Sequence, residues 1–227
     1  RAKFIYINYP NNPTGAVATK AFYEKLVAWA KTYEVGVVSD LAYGALGYRG
    51  YENPSFLSTP GAKDVGIEFY TFSKTFNMAG WRLAFAAGND QMIEALNLIQ
   101  DHLFVGIFPA LQEAGIAALL DPKSEEVVAQ LNATYDSRRD AFVQAAAKIG
   151  WQAFPSRGSF YAWMPVPEGY TSESFADLLL EKVHVAVAPG KGFGPAGDAY
   201  VRIGLLVEPE RLVEAVDRIA NLHLFNN

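Results

Sequence analysis

Three short runs rich in β-branched and aromatic residues, at 4–7, 35–38 and 67–72, each give way to polar residues. The first meets the turn Asn11-Asn12-Pro13-Thr14-Gly15, the second Ser39-Asp40, the third Ser73-Lys74. Helical or loop segments separate the runs. Residues 20–32 have helical spacing, with Phe22, Leu26, Val27 and Ala30 on one face. This alternation predicts an α/β fold built on a mainly parallel sheet with flanking helices. A fourth strand is expected over 82–87, and helices over 91–103 and 109–120. A long apolar-periodic stretch over 124–149 reads as a helix leading out of the sheet. Strand-like runs at 159–164, 183–187 and 200–206, closed by a helix over 209–222, predict a small C-terminal α+β domain. The boundary is expected at Asp121-Pro122, which divides the chain into 1–121 and 122–227.

Composition narrows the class. With 51% of 227 residues hydrophobic, the chain can bury a sizeable core. A net charge of −5 lacks the basic excess of a nucleic-acid binder. There is no cysteine, which excludes disulfides and thiolate metal sites. The histidines at 102, 184 and 223 are scattered outside any metal-binding spacing, so no metal site is expected. No apolar run is long enough to span a bilayer, and no signal peptide is visible. The expectation is a cytoplasmic protein without nucleic-acid or membrane partners. The chain opens on Arg1-Ala2-Lys3 directly before a strand-like run, a pattern expected equally of a domain cut from a longer protein and of a processed N-terminus.

In parallel sheets, ligands gather at the carboxyl ends of strands. Asn12, Asp40 and Lys74 lie at or just after such ends. Singly, each has an ordinary explanation: a lysine after a strand is a solvated charge, and an Asp there caps a helix. Together they place an amine, a carboxylate and an amide at one edge. Arg202, inside an apolar strand-like run, adds a cation that needs a partner.

Four segments carry a resemblance: Asn11-Asn12-Pro13-Thr14-Gly15, Ser39-Asp40-Leu41-Ala42-Tyr43, Ser73-Lys74-Thr75-Phe76-Asn77-Met78-Ala79-Gly80-Trp81-Arg82 and Val201-Arg202-Ile203-Gly204. They occur in the order found in class I/II aminotransferases, enzymes of the aspartate aminotransferase fold that use pyridoxal 5′-phosphate (PLP). The likeness covers essentially the whole chain. It implies transfer of an amino group from an amino acid to a 2-oxo acid, with PLP as the electron sink. By this resemblance Lys74 forms the Schiff base and moves the substrate proton. Asp40 pairs with the pyridine nitrogen and keeps it protonated. Tyr43 and Asn12 bond the ring's phenolic oxygen. Thr71, Ser73 and Arg82 bind the phosphate. Arg202 clamps the substrate carboxylate, with Asn12 beside it. Phe160 matches an aromatic position bordering the substrate pocket. The Asn12-Pro13 bond is expected to be cis. Pro189-Gly190-Lys191-Gly192-Phe193-Gly194 is not a phosphate loop, since no Gly-Lys-Ser/Thr follows, and the resemblance makes it a loop near the site.

Family members are considerably longer, and their N-terminal half has no counterpart here. The resemblance therefore implies an incomplete large domain, a site only partly present, weak PLP binding by this chain alone, and a homodimer for the intact protein. Within the family, Ser73 to Arg82 and the Phe193-Gly194 stretch resemble the aspartate/LL-diaminopimelate type. Other functions share the motifs. PLP-dependent lyases of the same fold would release an eliminated product instead of a keto acid. Ligand-sensing domains of transcription regulators would carry a DNA-binding module. A plain α/β binding domain would be indifferent to Lys74→Ala.

Overall fold

Thr19 starts the first helix: its hydroxyl accepts from the amide of Phe22, satisfying one of the donors a helix leaves open at its start. The structure, a computed structural model, describes residues 2–225. It contains β1 (Phe4–Asn8), α1 (Lys20–Tyr33), β2 (Gly36–Asp40), α2 (Ala62–Val65), β3 (Gly66–Thr71), α3 (Phe72–Thr75), β4 (Ala84–Gly88), α4 (Asp90–Leu103) and α5 (Pro109–Leu120). Then follow α6 (Ser124–Lys148), β5 (Tyr161–Pro165), α7 (Ser172–Val183), β6 (Ala188–Pro189), β7 (Tyr200–Gly204) and α8 (Pro209–Ala220).

The chain divides into two compact units. One comprises the chain up to Pro10 with Val17–Leu131, and the other Asn11–Ala16 with everything from Asn132 onward. The boundary expected at Asp121-Pro122 falls between α5 and α6; the units divide within α6, and the Asn-Pro-Thr-Gly turn belongs with the C-terminal unit.

The first unit holds a four-stranded sheet in the order β1-β2-β3-β4. The first three strands run parallel, with Ile5 opposite Val37 and Val38 opposite Ile67. β4 runs antiparallel to β3, so the sheet is mixed. The reason lies in the connection. Residues 72–83 hold only the single turns of α3 and of a 3-10 helix at Ala79–Trp81, with no helix long enough to carry the crossover a parallel neighbour normally uses. Arg82, expected inside this strand, precedes it in the left-handed region at φ 54°.

One sheet face carries Ile5, Ile7 and Val37 against α1. The buried stripe of α1 is Tyr23, Leu26, Val27 and Ala30. Phe22, expected on that stripe, lies one residue to its side, half exposed with its ring 5.6 Å from that of Tyr9. At about 100° per residue only the set i, i+3, i+4, i+7 shares a face, and Tyr23 begins that set. Full burial of Leu26 or Val27 is worth roughly 1.5–3 kcal/mol each. α5 lies close to the α3 region: Phe72, Met78 and Leu83 pack with Ala114 and Ala118.

Burial holds the Tyr23 phenol protonated above its ordinary value of 10.0, with Glu68, Tyr9 and Tyr51 adding to the effect and a Ser39 hydrogen bond opposing it. The folded state therefore binds that proton more tightly than the unfolded chain. Its contribution to stability is complete below about pH 10 and is lost as pH rises from there toward the folded-state value. Tyr23→Phe is expected to flatten the alkaline decline in stability, measured by urea unfolding at a series of pH values above about 9. An unchanged slope would remove Tyr23 from the account.

The second unit packs α7, α8 and the C-terminal part of α6 with a three-stranded antiparallel sheet in the order β5-β7-β6. Trp151 is fully buried, its ring edge-on to Phe142 and Phe175, and its indole N–H donates to the Pro165 carbonyl at 2.7 Å. The strand expected over 183–187 is not formed. α7 continues through Val183, His184 closes it in the left-handed conformation, and only Ala188–Pro189 pair as β6. The alternating valines of this segment suggested a strand, but the cap ends the helix there instead.

Candidate active site

In the first unit the expected residues sit where two parallel strands end. Asp40 is the last residue of β2 and Thr71 the last of β3. Asp40 stays beside its neighbours through the Asn8 side-chain amide, which donates to its carbonyl at 3.1 Å. Its carboxylate accepts from the Ala42 amide at 3.1 Å, which turns the chain sharply after the strand. Tyr43 follows in that turn and is buried.

Thr71 caps α3 by accepting from the Ser73 amide. Its hydroxyl also reaches the Ser73 hydroxyl at 3.0 Å and the Leu83 carbonyl at 3.3 Å. Phe72 and Thr75 anchor the single turn of α3 in the interior, and Lys74 lies half buried between them. Its ammonium stands 5.9 Å from the centre of the Tyr43 ring. Amine, aromatic ring and a hydroxyl pair are thus brought into one strand-end cluster. Arg82 follows on the loop before β4, exposed, with Nη1 donating to the Ala79 carbonyl at 3.0 Å.

In the second unit, Asn12 and Arg202 meet although 190 residues separate them: Nη1 of Arg202 donates to the Asn12 side-chain oxygen at 2.7 Å. The Asn12-Pro13 bond is cis, as expected, and so is Tyr9-Pro10, for which no expectation existed. Asn11 shapes the turn by accepting from both the amide and the hydroxyl of Thr14. Arg202 occupies the central strand β7, and its guanidinium lies 4.2 Å from the Tyr161 ring centre and 4.7 Å from that of Phe193. Such contacts restrain the flat cation and leave its donors for a planar carboxylate. Phe160 is buried and stacks on Tyr135 at 5.3 Å, as part of the core of this unit.

Two features escaped the sequence reading. The rings of Tyr161 and Phe193 converge on Arg202 from β5 and from the loop that precedes β7. The register neighbour Trp163, opposite Arg202, was the only local sign of an aromatic surround. Glu68, inside the strand-like run 67–72, is buried and accepts three hydrogen bonds.

The chemistry of this donor set fits PLP. Lys74 supplies an amine for an aldehyde. The paired hydroxyls of Thr71 and Ser73, with Arg82 on the following loop, suit a phosphate dianion. Asp40 suits a protonated ring nitrogen and Tyr43 a phenolic oxygen. Among the described residues, no group of three or more His, Cys, Asp or Glu could hold a metal ion. No described helix is long and apolar enough to cross a membrane.

Known proteins match this chain closely. A family model described as "Aminotransferase class I and II" matches residues 1–219. An L-glutamine--4-(methylsulfanyl)-2-oxobutanoate aminotransferase of Bacillus subtilis is 58% identical over 225 residues, which are 99% of this chain and 56% of the relative. An LL-diaminopimelate aminotransferase of Moorella thermoacetica is 48% identical over 219 residues, 96% of this chain and 56% of the relative. Among solved structures, apo-BacF from Bacillus subtilis superposes with a TM-score of 0.94 at 46% identity, covering 100% of this chain and 57% of its own. An aminotransferase from Staphylococcus aureus does so with a TM-score of 0.94 at 41% identity, covering 99% and 59%. The chain therefore spans little more than half the length of these relatives.

Proposed function

The chain belongs to the class I and II aminotransferases, and from that premise we propose that the intact protein is a PLP-dependent enzyme moving an amino group from an amino acid to a 2-oxo acid. The observation that carries this reading is the Lys74 ammonium held beside Tyr43 at the end of the parallel strands, with two hydroxyls on the same short turn. When bound, PLP supplies the electron sink that makes a substrate Cα–H bond acidic. The Thr71 and Ser73 hydroxyls and the Arg82 guanidinium would hold its phosphate. The Asp40 carboxylate would keep its ring nitrogen protonated, and the Tyr43 hydroxyl would donate to its phenolic oxygen. Lys74 Nζ would attach the cofactor and, as base and then acid, would carry the proton from the substrate Cα to the cofactor carbon C4′. Arg202 binds the substrate α-carboxylate, with Asn12 fixing the orientation of the guanidinium.

Reconstitution of the intact protein with PLP tests this reading. The expected result is a stoichiometric visible absorbance and, after borohydride reduction, a cofactor adduct on the peptide containing Lys74. A keto-acid product from an amino acid donor is expected; an eliminated product instead would point to a lyase. The named relatives are aminotransferases and lend no support to the lyase or regulator readings. They are labelled for LL-diaminopimelate and for a methylsulfanyl 2-oxo acid, and we place the substrate in that range of amino and 2-oxo acids. A cytoplasmic homodimer is part of the same proposal, to be checked by light scattering on the intact protein.

Arg202→Lys is expected to raise KM for the amino acid about 10–100-fold with a smaller change in kcat. A lysine keeps the charge but loses the two-pronged geometry and the flat contact with the Tyr161 and Phe193 rings. Equal KM values for the two proteins would take Arg202 out of carboxylate binding.

A further inference from the structure

Glu68 is a carboxylate in the interior of the first unit, 6% exposed. A buried carboxylate is costly unless donors surround it. Here three do. The Ser39 hydroxyl donates at 3.0 Å, the Ser55 hydroxyl at 2.5 Å and the Phe56 amide at 2.8 Å. Ser39 lies directly opposite Glu68 in the parallel ladder and immediately precedes Asp40. Ser55 and Phe56 lie at the far end of the loop that begins after Asp40. One carboxylate therefore ties both ends of the segment carrying Tyr43.

The tie continues into the segment. Two residues before Ser55, the side-chain amide nitrogen of Asn53 donates to the carbonyls of Gly44 and Leu46, both at 3.1 Å. The Leu46 amide in turn donates to the Tyr43 carbonyl at 2.9 Å. Ser55 stiffens the far end further: its hydroxyl accepts from the Leu57 amide, and its carbonyl accepts from the Ser58 hydroxyl. The Glu68 cluster and the Asn53 bonds are joined by the backbone from Asn53 to Ser55, so the tie runs along the chain from the fixed end at Ser55 to the Tyr43 turn.

We propose that Glu68, acting through Ser55 and Asn53, is a positioning residue that holds the Tyr43 turn and the end of β2 in the geometry the cofactor ring requires. The functional half of this statement rests on the PLP reading above; the mechanical half does not. No charge has to reach the cofactor. Glu68 acts by removing conformational freedom from Tyr43 and Asp40, and a loose positioning group costs rate even when every contacting side chain is present.

The test uses Asn53→Ala and Glu68→Gln in the intact protein. Glutamine keeps the size of the side chain, but its amide nitrogen must face a donor. With its oxygen kept toward Ser39 and Phe56, the nitrogen faces Ser55, whose hydroxyl already accepts from the Leu57 amide and would lose the acceptor it donates to. The first readout is ligand-free hydrogen exchange. Amides of residues 41–47 are expected to exchange at least tenfold faster in both variants, with those of α8 unchanged. The second is the PLP-loaded protein. The pH midpoint of the bound cofactor's visible absorbance is expected to move, and kcat to fall about tenfold with KM changing less.

Exchange and absorbance titration both matching wild type, in either folded variant, would overturn the proposal. Faster exchange with an unmoved titration and kcat would also overturn it, by reducing Glu68 to a stabilising role. If Glu68→Gln fails to fold, Asn53→Ala carries the test alone. A wild-type protein that never retains PLP refutes the functional reading and with it the cofactor half of this proposal; the exchange result then decides whether Glu68 holds the turn.

Discussion

Replacing Lys74 by alanine is expected to lower turnover of the PLP-loaded intact protein by about 10³–10⁴-fold and to abolish the borohydride-stable adduct. Two functions disappear with one amine: covalent retention of the cofactor and proton transfer at the substrate Cα. The substitution gives up the Lys74 contact with the Tyr43 ring but leaves the backbone of the turn intact. α3 is one turn, anchored by Phe72 and Thr75, capped by Thr71, and closed by the Phe76 amide donating to the Phe72 carbonyl. None of these contacts uses the Lys74 side chain, and alanine is the strongest helix former. Thermal stability without PLP is expected to stay within a few degrees of wild type, which separates a chemical loss from a folding loss. Lys74→Arg should be nearly as inactive, since a guanidinium stays protonated and cannot attack an aldehyde. Turnover within tenfold of wild type in Lys74→Ala would sink the assignment.

Gly15→Ala is expected to destabilise the second unit by about 2–5 kcal/mol, adding steric overpacking to an unfavourable backbone conformation. Gly15 has φ 68°, and a Cβ there would stand 2.1 Å from the Ser156 hydroxyl oxygen, 2.7 Å from the Ser156 Cβ and 3.0 Å from the Gly158 carbonyl. Ser156 cannot swing away without loss. It is buried, and its single hydroxyl hydrogen is shared between the Gly158 carbonyl at 2.9 Å and the Gly15 carbonyl at 3.3 Å. The Arg157 amide also donates to the Gly15 carbonyl. The same turn carries Asn12, so the contact with Arg202 should loosen and KM for the amino acid rise together with the fall in Tm. Gly50→Ala is the control. Gly50 has a similar φ of 73° but nothing within 4 Å of the added carbon, so only the backbone cost of about 1–2 kcal/mol applies. Equal losses in the two variants, followed by thermal unfolding, would show that the collision with Ser156 contributes nothing.

Much of the fold could be read from local signals. The helix α1 follows helical spacing, and polar residues mark the ends of β2 and β3. The errors occurred where a local pattern was outvoted by its surroundings. The alternating valines near 183–187 resemble a strand, yet α7 extends into them because His184 accepts the left-handed cap position. Arg82 resembles the start of a strand, yet it lies in the preceding turn, because the antiparallel return of β4 requires a reversal there.

The candidate site divides in the same way. Asp40, Tyr43, Thr71, Ser73, Lys74 and Arg82 lie on two short segments, and their chemistry is written in those segments. Sequence alone therefore determined which residue types are available and at which strand ends they emerge, since a strand end and a helix cap are set by neighbours within a few positions. It could not show that Arg202 bonds Asn12 across 190 residues, or that Ser156 fills the space beside Gly15 across 141. Nor could it show that Glu68 gathers Ser39, Ser55 and Phe56 around one carboxylate. Those contacts join chain segments whose meeting is decided by packing and strand register, where the partner of a buried polar group is whichever donor the fold delivers to it. Only the tertiary structure holds that information.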